Sequence, residues 1–202
     1  MTDIERVRLF IAVAIPEAVK AELEAAQAEL RRALPDAKVR WARREQFHLT
    51  LKFLGDVEAA RVEALGEAIH SACRGFAPLR LRLEGVGAFP NLRRARVLWT
   101  GVRSEAEQLG RLQAAVDFAS RDFTSEEKEQ EFTGHVTLAR IQGMKRTEAE
   151  ALAELVAGMK DRVFGQWTMC RIELMQSQLL PQGARHTLLA ATALGEPPRE
   201  LA

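Results

Sequence analysis

Phe47-His48-Leu49-Thr50-Leu51-Lys52-Phe53-Leu54-Gly55-Asp56 alternates apolar and polar side chains from its first residue, the period of a strand with one buried face. Side chains two apart on a strand share a face, ~6–7 Å from one another. His48 and Thr50 therefore project together, and Phe47, Leu49, Leu51 and Phe53 take the opposite, apolar face. Gly55 is expected to end the strand and Asp56 to cap a following helix. A second stretch, Phe132 to Arg140, repeats the arrangement. His135 and Thr137 share one face there, Val136 and Leu138 the other, and by the same parity Arg140 points away from His135. Each stretch opens on an aromatic, reaches His-x-Thr-Leu and passes through a glycine-containing turn into a helix. An internal duplication accounts for this, and so would two unrelated strand–helix units.

The flanking chain supplies more strands and helices. Val7 to Ile15 has the β-branched content of a buried strand. Pro16 suits the first turn of a helix over 16–33 whose stripe is Val19, Leu23, Ala26 and Leu30. A helix over 56–74 carries Val62, Leu65, Ile69 and Ala72, and strands are expected at 79–86 and 95–102. Ser104-Glu105-Ala106-Glu107 and Thr147-Glu148-Ala149-Glu150 have the spacing of capping boxes. The first opens a helix with Leu109, Leu112 and Val116, the second one with Leu152, Leu155 and Met159. Residues 121–131 form a charged loop, 132–141 a strand, and further strands lie near 162–177 and 186–194. The expected organisation is one α+β domain over 1–194 and a flexible tail over 195–202.

A chain of 202 residues that is 47% hydrophobic can bury a sizeable core. The net charge of +1 is too small for a dedicated polyanion binder, so nucleic acid would be met by local patches such as Arg40, Arg43 and Arg44, or Arg93, Arg94 and Arg96. Cys73 and Cys170 belong to no Cys-x-x-Cys motif and are expected to be reduced thiols. The run Leu9 to Ile15 is too short to span a bilayer, and no signal-peptide pattern opens the chain. A soluble, cytoplasmic protein is expected.

Four histidines are present. His70, on a helix face, and His186 are assigned ordinary structural roles, whereas the repeated context singles out His48 and His135. Two imidazoles that titrate near neutrality can hold opposite protonation states, one taking a proton from water and one giving a proton to a leaving oxygen. Two threonine hydroxyls beside them can donate to non-bridging phosphate oxygens. That set matches phosphodiester hydrolysis. Neither motif contains a carboxylate, and no His-x-His or His-Glu-x-x-His spacing occurs, so no metal or other cofactor is expected. No Gly-x-Ser-x-Gly motif or phosphate-cradling glycine loop is found.

These motifs, with Arg8 to Pro16, Gly85 to Pro90, Arg96 to Val102 and Gln176 to His186, follow one another in an order that resembles the two-histidine (2H) phosphoesterases. Within them the chain is most similar to the RNA 2′,3′-cyclic phosphodiesterases, also described as 2′–5′ RNA ligase-like proteins. The resemblance implies a bilobal fold in which two pseudo-symmetric lobes of antiparallel sheet and helices flank a central cleft. It implies hydrolysis of 2′,3′-cyclic phosphate at RNA or nucleoside ends to 2′-phosphomonoesters, with 2′–5′ ligation as the reverse step; separately from the resemblance, a monomer is expected. His48 would be the proton donor, His135 the proton acceptor, Thr50, Thr137 and Arg140 phosphate ligands, and Phe53 the aromatic near the base. A 2′–5′ oligonucleotide or another small cyclic phosphate is the alternative substrate, and an RNA-binding module without turnover the alternative class. Two positions depart from the family: Gly134 stands where relatives have proline, loosening the start of the second motif strand, and His186 stands where they have tyrosine.

Overall fold

The computed structural model describes residues 5–124, 126, 132–180 and 183–195. Strand β1 (Arg6–Ala14) is buried from Leu9 to Val13. Pro16 is the N-cap of α1 (Glu17–Ala33) rather than a residue of its first turn, and Val19, Leu23, Ala26 and Leu30 line its buried face together with Gln27. A four-residue strand that the sequence did not signal, β2 (Lys38–Trp41), precedes β3 (His48–Glu58), which carries the first motif. β3 runs on through Gly55. That residue adopts φ +64 beside Leu54, which has no partner on β1, so the glycine shapes a bulge and does not end the strand. A 3-10 turn at Ala59–Arg61, not Asp56, leads into α2 (Val62–Cys73), which is shorter than expected.

β4 (Leu79–Phe89) and β5 (Val97–Ser104) form an antiparallel pair, followed by α3 (Gln108–Ser120). The expected capping box at Ser104 is replaced by a turn in which Ala106 and Glu107 have φ of 48 and 57, and Ser104 Oγ accepts the Leu109 N–H at 2.8 Å. β6 (His135–Gly143) carries the second motif and leads into α4 (Arg146–Gly158). α4 starts ahead of Thr147, and the Glu148 carboxylate caps it by accepting the N–H groups of Lys145 at 2.8 Å and Asp36 at 3.0 Å. The stretch 162–177 divides at Cys170 into β7 (Val163–Met169) and β8 (Arg171–Leu180), and β9 (Gly183–Ala193) follows. Most of the expected charged loop and the tail beyond Gly195 lie outside the described residues.

Among the described residues the nine strands form one antiparallel sheet in the order β7-β4-β5-β6-β3-β1-β8-β9, with β2 pairing on β6 alongside β3. β3 and β6 meet at a single pair, Leu49↔Val136, where the sheet divides into two lobes. On the lobe of β1, β3, β8 and β9 lie α2 and α3; on the lobe of β2 and β4 to β7 lie α1 and α4. Helices α1 and α3 thus cross from the strand they follow to the opposite lobe. The result is the expected α+β architecture.

Candidate active site

Leu49 and Val136, both fully buried, face one another where the lobes join. Their neighbours in an antiparallel register lie on the other face. His48 is thereby set beside Thr137 and Thr50 beside His135, and all four line one cleft of about 890 Å³. The histidines are diagonal neighbours, and such diagonals span ~7–8 Å, room for one phosphate group between them.

Each motif strand then breaks its alternation at the same place. β1 pairs with β3 as Ala12↔Thr50 and Ile11↔Lys52, which leaves Leu51 with no opposite residue. β5 pairs with β6 as Trp99↔Thr137 and Leu98↔Ala139, which leaves Leu138 with none. Both extra residues are the leucine of His-x-Thr-Leu. A one-residue bulge inverts the parity of everything beyond it. Phe53 and Arg140 consequently join the cleft face with the histidines and threonines, contrary to strict alternation, which buried Phe53 with Leu49 and turned Arg140 away. Phe53 is 49% exposed, its ring 6.2 Å from that of Phe10.

Each imidazole is held in an aromatic corner. His48 lies 4.9 Å from the Phe10 ring and 5.1 Å, edge-on, from His186. His135 lies 5.1 Å, edge-on, from Phe89 and 6.2 Å from Trp99. Trp99 fits because Gly87 lies opposite it; a Cβ at that glycine would meet the indole at 2.3 Å. The carbonyl two residues upstream bonds to each ring: Thr133 O to His135 Nδ1 at 2.7 Å, and the Gln46 carbonyl to His48. A backbone acceptor at Nδ1 fixes the tautomer and leaves Nε2 of His135 for the cleft.

Burial, reinforced by repulsion from the His186 and His135 rings, pushes the His48 imidazole from its ordinary 6.5 down to about 4, against the opposing pull of the Gln46 carbonyl. Burial also lowers His186. With no anion beside it, His48 is therefore neutral at neutral pH, and an anion in the cleft favours its charged form. The unfolded chain takes up this proton near 6.5, the folded one only near about 4, so stability from His48 is present above 6.5 and is lost as pH falls from 6.5 to about 4. Bound anion should raise the folded value and carry a proton in. Sulfate, which does not titrate in this range, is expected to bind more tightly as pH falls from about 7 toward 5, with net proton uptake that His48→Gln reduces. Calorimetry in buffers of different ionisation enthalpy measures it, and pH-independent binding without uptake would contradict the coupling.

The sequence overlooked several residues at the cleft: Phe10, Phe89 and Trp99 as ring neighbours, Arg8 on the wall, and His186, which it set aside as structural, while Arg40, singled out there as part of a basic patch, also lines the cleft. Gly134, just ahead of β6, is tied to β5. Its carbonyl accepts the Val102 N–H at 2.8 Å, and a Cβ would meet the Val102 oxygen at 2.9 Å. Among the described residues no group of three His, Cys, Asp or Glu side chains could hold a metal ion. No described helix is long and apolar enough to cross a membrane.

A family model described as LigT-like phosphoesterase matches the chain twice, over 13–99 and 101–186, one match around each motif. The chain is 31% identical over 184 residues to an RNA 2′,3′-cyclic phosphodiesterase of Methanothermobacter thermautotrophicus, covering 90% of this chain and 96% of that protein. It is 34% identical over 205 residues to one of Thermus thermophilus, covering 96% and 94%. Among solved structures, TT0787 of Thermus thermophilus superposes with a TM-score of 0.74 at 32% identity, over 94% of this chain and 99% of that one. Escherichia coli LigT in complex with 3′-AMP shares the fold, with a TM-score of 0.75 at 23% identity over 95% and 100% of the chains.

Proposed function

The chain belongs to the LigT-like phosphoesterase family, and from that premise we propose that it hydrolyses 2′,3′-cyclic phosphate at RNA or nucleotide ends to the 2′-phosphomonoester. The observation that carries this reading is the juxtaposition at Leu49↔Val136, which gathers two imidazoles and two hydroxyls on one face. His135 takes a proton from water as its oxygen attacks phosphorus. The P–O3′ bond breaks on the far side, and His48 protonates the departing oxygen. The substrate anion brings His48 the proton that its buried corner otherwise denies it. Thr50 and Thr137 donate to the non-bridging oxygens, Arg140 adds a charge-assisted contact, and Phe53 offers a ring to the base. Every group in this scheme comes from one chain, and the reading includes a monomer acting in the cytoplasm.

The test is incubation with adenosine 2′,3′-cyclic phosphate in excess EDTA, followed by separation of the 2′- and 3′-monophosphates. The expected product is adenosine 2′-monophosphate, formed at an undiminished rate. The 3′ isomer would exchange the leaving oxygen, and loss of activity restored by one divalent ion would overturn the metal-free scheme. RNA binding without turnover of any cyclic phosphate would make the cleft a recognition module instead. Turnover confined to 2′–5′ linked oligonucleotides would move the substrate class.

A further inference from the structure

Two glutamines reach the two bulges. From α1, Gln27, only 4% exposed, donates through Nε2 to Leu138 O and to Ala42 O, each at 2.8 Å. From α3, Gln113 donates through Nε2 to Leu51 O at 3.3 Å. Leu138 and Leu51 are the bulged residues of β6 and β3. The donors sit at corresponding helical positions: Gln27 four residues after Leu23 and three before Leu30, Gln113 four after Leu109 and three before Val116, with all four apolar neighbours buried. Each donor also arrives on the helix that crosses from the other lobe. Around them the bulges are tied further, Leu138 O by the Ala42 N–H at 2.9 Å, and the β3 bulge by the Lys52–Asp117 ion pair at 2.7 Å, in which Lys52 is 8% exposed.

We propose that Gln27 and Gln113 are positioning residues that hold the two bulges, and through them set Arg140 and Phe53 in the cleft. The physical reason is parity. A bulged residue lies outside the regular ladder, and sliding it out returns the strand to alternation, which turns the residue two positions on to the opposite face. An amide aimed at the bulged carbonyl stabilises the bulged register alone. An unmatched buried carbonyl is the cost of slipping. Gln27, outside the cleft lining, thereby governs the phosphate contact, and Gln113, which reaches the cleft wall beside Phe53, governs the base contact through the bulge it holds.

The proposal rests on the roles given above to Arg140 and Phe53, and the experiment separates the two. Steady-state kinetics on adenosine 2′,3′-cyclic phosphate would be measured for Gln27→Leu, Gln113→Leu, Arg140→Ala, Phe53→Ala and the four glutamine–partner doubles. Arg140→Ala and Gln27→Leu should each raise KM by roughly tenfold with kcat changed much less, the pattern of lost ground-state binding. In the Arg140→Ala background, Gln27→Leu should add less than about twofold, while in the Phe53→Ala background its effect should be undiminished. Gln113→Leu should show the reverse pairing. Additive effects in both pairs, or equal coupling of each glutamine to both partners, would overturn the clamps while leaving the roles of Arg140 and Phe53 intact. A silent Arg140→Ala and a silent Phe53→Ala would overturn those roles and the clamps with them. Should buried Gln27→Leu fail to fold, Gln27→Met keeps the length without the donor, and the half-buried Gln113 carries the same test alone.

Discussion

Replacing His48 or His135 by alanine is expected to lower kcat/KM on adenosine 2′,3′-cyclic phosphate by roughly 10²–10⁴. Each substitution removes one half of a proton transfer: without His135 water attacks unassisted, and without His48 the 3′ oxygen leaves as an alkoxide. The two corners are built alike, with an aromatic neighbour and an upstream carbonyl for each ring, so neither variant should escape. The wild-type pH profile should be a bell, since one imidazole must be charged and the other neutral. Each variant should lose one limb of that bell, a change that disturbed packing around Phe10 or Phe89 would not produce. Near-normal turnover by either variant would show that the reaction lies elsewhere.

A sulfur at the bridging 3′ position should restore most of the rate lost by His48→Ala and almost none of that lost by His135→Ala. A thiolate departs without an acid, so the step His48 assists no longer limits, whereas water still needs its base. The depressed affinity of His48 for protons sharpens the test. If His48 receives its proton only with the substrate anion, its variant should also lose the proton uptake that accompanies binding. Rescue of His135→Ala instead would exchange the two roles. Rescue of neither would mean that both rings act by stabilising charge on phosphorus, with little proton transfer in the rate-limiting step.

Much of this site was legible in two short stretches of sequence. His48, Thr50, His135 and Thr137 share their faces because strand periodicity demands it, and the repeated His-x-Thr-Leu marked them as partners. Phe53 and Arg140 were not legible from that periodicity, because a bulge at Leu51 or Leu138 leaves no mark in the motif itself. A signal did exist at a distance. Gln27 interrupts the apolar stripe of α1 between Ala26 and Leu30, and a buried amide needs acceptors. The acceptors include Leu138 on β6, far along the chain, and pairing at that separation cannot be read locally. β2 was missed for a similar reason: four residues alternating in burial, Lys38–Trp41, are too short for periodicity to register. Gly55 misled in the other direction, since a glycine after an apolar run suits a terminus as well as a bulge.

The crossing of α1 and α3 bears on how such a chain could have arisen. Each half of the polypeptide keeps the strand bearing its own motif but sends a helix to cover its counterpart's sheet, and β4 and β8 likewise lie in the counterpart's lobe, β4 against β7 and β8 against β1. A half-length polypeptide would leave one sheet bare and its own helix without a seat. Two copies of a half-length polypeptide would complete one another by reciprocal exchange, and the axis of that homodimer would run between Leu49 and Val136, with one imidazole contributed by each copy. Fusion end to end would have freed the surroundings of the two imidazoles to diverge, as they now do: His48 packs against Phe10 and His186, His135 against Phe89 and Trp99.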